Sequence, residues 1–141
     1  MKSKFSEILK LKKEKISEVE RSILEEQNKK STLLQKNRDL ETEISNVDQP
    51  LSGNFSQIQL MKFHVTNFKR AIEYNLNKIS LIEDNILRLN QLYKERKIDF
   101  EKINYLHKEE IAKHAKAIAL RDSKDLDEIA NILFLKKNKG K

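Results

Sequence analysis

Residues 58–103 read IQLMKFHVTNFKRAIEYNLNKISLIEDNILRLNQLYKERKIDFEKI. Stepping through them by alternate threes and fours visits positions 58, 61, 65, 68, 72, 75, 79, 82, 86, 89, 93, 96, 100 and 103. Twelve of these fourteen are apolar: Ile58, Met61, Val65, Phe68, Ile72, Ile79, Ile82, Ile86, Leu89, Tyr93, Phe100 and Ile103. Only Asn75 and Arg96 depart. At the chain's overall 38% hydrophobic content, chance would supply about five. A three-four repeat of this length is the seam of a coiled coil, and a seam needs a second helix against it.

The second helix lies upstream. Positions 5, 9, 12, 16, 19, 23, 26, 30, 33, 37, 40, 44 and 47 carry the same repeat, and nine of the thirteen are apolar: Phe5, Leu9, Ile16, Val19, Ile23, Leu33, Leu40, Ile44 and Val47. Lys12, Glu26, Lys30 and Asn37 are the exceptions, so the centre of this seam is weak. Between the seams sit the one proline, Pro50, and the first of two glycines, Gly53. Helix interiors exclude proline and are weakened by glycine, which marks a single bend at 48–56. Ser56 with Gln59 fits a capping box, and Phe55 with Leu60 a hydrophobic staple. So short a loop makes the flanking helices antiparallel. With their ends level, residue i faces roughly residue 102 − i, which puts Phe5 near Arg96 or Lys97 and Glu26 near Asn75 and Leu76. Asn37 and Asn75, polar at seam positions, are candidates for fixing register.

Downstream of Ile103 the apolar positions slip by one place to His107, Ile111, Ala115 and Ile118. Asn104–Leu120 has no partner in this arrangement and is free to meet another protein or a second copy. Arg121-Asp122-Ser123-Lys124-Asp125 breaks the periodicity, and Asp125 with Glu128 can cap a short helix through Leu126, Ile129, Ala130, Leu133 and Phe134. The final lysine-rich KKNKGK is expected to lack order. The fold predicted is all-α: an antiparallel two-helix coiled-coil hairpin with a longer second helix and a short C-terminal helix. The expected bounds are helix 3–47, turn 48–56, helix 57–121, short helix 125–135 and basic tail 136–141, in one domain.

Composition agrees with this class and excludes others. Of 141 residues, 36% are charged and 6% aromatic, with no cysteine or tryptophan, the profile of a long-helix chain. Disulfides and thiolate metal sites are ruled out, which suits a reducing compartment. The opening MKSKFSEILKLKKEK has no apolar run and reads as neither signal nor membrane span. The net charge of +7 is concentrated at the basic ends, where it favours an acidic partner, a membrane surface or nucleic acid. Phosphate-binding glycine loops and nucleophile motifs are missing. His107, Glu110 and His114 share a helical face, but the two histidines are about 10 Å apart along the axis, too far for one ion. His64 stands alone, and the aromatics occupy seam positions and do not interleave with basic residues. Neither catalysis nor a cofactor is expected.

The layout resembles a known family. A basic first helix, a turn, the aromatic-containing start FSQIQLMKFHVTNFKRAI of a longer helix, and the closing element LDEIANILF at Leu126–Phe134 are similar to FliJ, the coiled-coil component of the bacterial flagellar type III export apparatus. The resemblance implies a non-enzymatic, stalk-like protein at the inner face of the plasma membrane. Its partners would be the hexameric export ATPase, the membrane export gate and export chaperones. It places gate contacts at His64, Phe68 and Ala71, and ring contacts at Lys10, Lys12, Lys13, Ile111, Ala115 and Ile118. A stalk protein of a virulence type III system and a basic coiled coil on nucleic acid are the alternatives; the charge-balanced middle of the chain disfavours the second.

Overall fold

The computed structural model describes residues 4–47 and 54–139. They form two helices, α1 at Ser6–Asn46 and α2 at Phe55–Lys139. By their contacts the residues divide into a terminal unit, which joins the chain up to Glu14 with Lys97 onward, and a central unit, Lys15–Arg96.

In the central unit the two helices pair antiparallel along the expected seam. Ile16, Val19 and Ile79 are buried, and Ile23, Leu33, Leu40, Ile44, Ile58, Val65, Phe68, Ile72, Ile82, Ile86 and Leu89 are half-buried. In the terminal unit Phe5, Leu9, Phe100 and Ile103 are half-buried likewise. Among the described residues no side chain is sealed completely, because two helices alone wall a seam on two sides only.

The register differs from the expected one. Asn75 Nδ2 donates to Asn37 Oδ1 at 2.9 Å, Lys30 pairs with Glu83 at 3.2 Å, and Arg96 Nη1 donates to the Lys15 carbonyl at 2.9 Å. Residue i therefore faces roughly residue 112 − i, so Asn75 meets Asn37 and not Glu26. In this register the first ten or so residues of α2 lie past the level of Asn46. In the terminal unit, Lys12 bonds Asp99, and Ser6 and Leu9 share a groove with Phe100, Asn104 and His107. The half-buried positions continue 100, 103, 107, 110 in unbroken heptad steps. Asn104 and His107 thus have neighbours in the chain, and the uncovered stretch begins at Ile111.

Two boundaries also move. The cap of α2 is Asn54, whose Oδ1 accepts from Gln57 N at 2.9 Å, so Phe55 and Ser56 are already helical and the expected box at Ser56 is not formed. Asparagine is among the best N-caps, and it lies one residue ahead of the first helical position. At the other end α2 does not stop at 121–125 but continues to Lys139; there is no separate short helix, and Lys136 and Lys137 are helical. Asp, Ser and Asn cost a helix interior at most ~0.7 kcal/mol each, and without Gly or Pro nothing there forces a break. The expected bend at 48–53 and the last two residues lie outside the described residues.

Candidate partner-binding surfaces

Three surfaces offer themselves for contact. The first is the bare length of α2. Every residue from Ile111 to Asn138 is exposed, including Ile118, Leu120, Leu126, Ile129, Ile132, Leu133, Phe134 and Leu135. Among the described residues none covers this apolar length, and a long exposed apolar stretch is characteristic of interaction surfaces. Ile111, Ala115 and Ile118 open this stretch.

The second is the groove of the terminal unit, where Lys10 and Lys13 stand beside Leu9, Phe100, Asn104 and His107. Lys10 and Lys13 are exposed, whereas Lys12 is half-buried and engaged by Asp99. The same unit holds most of the charge. Residues 1–14 and 97–141 carry sixteen of the 29 lysines and arginines against ten of the 22 acids, a net of +6 that leaves +1 for 15–96.

The third is the outward face of α2 near its start. Leu60, Phe63, Thr66, Asn67 and Arg70 line a shallow trough, and the Phe63 ring, 60% exposed, meets His64 edge-on at 6.0 Å. His64 is exposed, whereas Phe68 and Ala71 are half-buried beside the seam. The exposed aromatic lining this trough is Phe63, which periodicity alone passes over. Its signal is an apolar pair, Leu60 and Phe63, three residues apart and off the seam.

The family model of the flagellar FliJ protein matches residues 1–139. The chain belongs to the FliJ family. No curated protein and no solved structure matches it. As a FliJ family member it is a component of the flagellar export apparatus. Among the described residues, no helix is long and apolar enough to cross a membrane, and no group of three His, Asp or Glu side chains is placed to hold a metal ion.

Electrostatics distinguish the middle of this FliJ protein from its ends. Where the α1 seam is weakest, Glu26 accepts from Lys29 at 3.1 Å. That bond first, and a second from Asn85, hold its carboxyl below the ordinary value of 4.5. Arg88 in turn donates to Asn85 Oδ1 at 3.3 Å. Polar stitching replaces apolar contact there. Further along, the Tyr105 hydroxyl is pushed up by its bond to Glu109, the next turn's carboxylate. None of these groups has the geometry of a catalytic set.

Proposed function

We propose that this FliJ protein acts as a stalk for the flagellar export ATPase. Its terminal unit enters the ATPase ring and the start of α2 addresses the membrane export gate and export chaperones. The observation that carries the reading is the uncovered helix from Ile111 to Asn138, joined in one unit to the basic groove of Lys10 and Lys13. An amphipathic helix with no internal partner gains its burial only in an assembly, and a basic rim speeds its encounter with an acidic opening. Ring contacts would then be Lys10, Lys12, Lys13, Ile111, Ala115 and Ile118, and gate contacts His64, Phe68 and Ala71, with Phe63 the exposed aromatic of that patch. Attachment to the membrane would be peripheral, through the gate. The test is ATP turnover by the cognate export ATPase with and without the purified chain. Stimulation by the intact protein, lost when residues 111–141 are removed, is the expected result; no stimulation by the intact protein refutes the stalk.

A further inference from the structure

The exposed apolar stripe of α2 has a symmetry of its own. Ile111, Ala115, Ile118, Asp122, Leu126, Ile129 and Leu133 fall on one helical face, and the steps between them, 4, 3, 4, 4, 3 and 4, read the same from either end. The repeat is eleven residues (Ile111, Asp122, Leu133), which suits straight or right-handed pairing and not the left-handed seven-residue seam covering the rest of α2. A helix with the heptad pattern of α1 cannot follow such a stripe over its length. The stretch of this chain that carries the matching pattern on an uncovered face is the stripe itself, since Met61–Glu83, which fits the same steps, is already packed on α1.

The flanks are also self-complementary. On one side of the stripe lie His114, Arg121, Asp125 and Glu128; on the other lie Ala112, Ala119, Ser123 and Ala130. In an antiparallel pair related by a two-fold axis, like flank meets like flank. With the axis at Asp122, Ile111 faces Leu133 of the second copy, Ala115 faces its Ile129, and Ile118 its Leu126. Arg121 then falls beside Asp125 and Glu128 of the second copy, and the reverse contacts repeat below the axis. The alanine flanks permit close approach. A parallel pair sets the charged flank against the alanines and gains no ion pairs. One contact is unfavourable: Asp122 meets its own copy.

We propose that residues 111–133 form a self-association surface, pairing antiparallel with the same stretch of a second copy about Asp122. The dimer covers the face that an assembly partner would need, so self-association and engagement of such a partner exclude each other. This stands apart from the ATPase reading, since it concerns the free protein.

Sedimentation equilibrium of the full chain tests it. A concentration-dependent dimer is expected. Ile118→Asp should weaken it about tenfold or more, because each dimer then buries two charges where two isoleucines were covered. Asp122→Leu should tighten it by removing the like-charge contact and adding apolar area. Arg121→Glu should weaken it, and Arg121→Glu combined with Asp125→Arg and Glu128→Arg should restore it. All these positions are exposed in the single chain, and equal far-UV ellipticity checks that the helix persists. The absence of native cysteines allows a direct readout of direction. An oxidised mixture of Ile111→Cys and Leu133→Cys proteins should yield the mixed disulfide, and Ile111→Cys alone should not self-link. A monomer at every concentration overturns the proposal, as does a dimer indifferent to Ile118→Asp or self-linking of Ile111→Cys.

Discussion

Asn37 is the buried polar residue of the seam, 6% exposed. Its Oδ1 takes a hydrogen bond from Asn75, and its own Nδ2 reaches the Ile72 carbonyl at 3.5 Å. A heptad seam tolerates sliding by seven residues, since apolar still meets apolar. Slid one way, Asn37 would face Phe68 and Asn75 would face Lys30; slid the other, they would face Ile82 and Ile44. The pair is satisfied only as observed, so it selects the register. Asn37→Leu should destabilise the protein by about 1–3 kcal/mol, because Asn75 loses its partner while still half-buried. The double change Asn37→Leu with Asn75→Leu should recover most of the thermal midpoint by circular dichroism. It should also broaden the distance between spin labels at residues 30 and 83. A sharp distance in the double variant would remove the register role. Glu26 gives a second test. Its carboxyl is held below 4.5, first by Lys29 and then by Asn85, so its contribution to stability is present above that value and lost as pH falls through the lower folded value. Glu26→Gln should therefore lower the melting midpoint at neutral pH and flatten its decline below pH ~4.5; parallel acid profiles for the two proteins would count against it.

At the scale of the helices, periodicity located the seam because burial is periodic: positions marked by three-four steps, from Phe5 to Val47 and from Ile58 to Ile103, are those with reduced exposure. The vertical alignment of the helices was not legible in the same way. Level helix ends are the plain expectation for a short bend, but the alignment is decided by single polar matches, Asn37 with Asn75 and Lys30 with Glu83, that periodicity does not weigh. Likewise the Asp and Ser residues at 121–125 interrupt the apolar periodicity without ending the helix. They are good caps only where the chain already has a reason to leave the helix, and α2 has none. The resemblance names His64, Phe68 and Ala71 as gate contacts; Phe63 lies beside them on the outward face, off the seam, where periodicity gives it no weight. Since α2 beyond Glu110 is held by its own backbone bonds and is covered by none of the described residues, it should open locally far more readily than the paired length. Amide hydrogen exchange on the isolated chain should be fast over 115–138 and slow over 16–44 and 68–93. Ser123→Pro should abolish helix content in the first range and leave protection in the second unchanged. Equal protection in both ranges would mean that something covers the extension even in the free protein.

For the molecule as a whole, the decisive quantity is where the charge sits. The central unit nearly balances at +1 while the terminal unit carries +6, and the latter also bears the uncovered helix. Exposed charge contributes little to the depth of a complex but much to the speed of its formation, and that contribution is screened by salt. If the terminal unit is the end that engages the export ATPase, then Lys10→Glu with Lys13→Glu should slow association and flatten its dependence on ionic strength, with little change in dissociation. Lys62→Glu with Arg70→Glu alters the net charge by the same amount on the outward face of α2 and should leave the ATPase association rate nearly unchanged. Stopped-flow association across a range of salt separates the two. Equal slowing by both pairs would mean that total charge, not its placement, guides the encounter, and the assignment of the terminal unit as the engaging end would lose its electrostatic support.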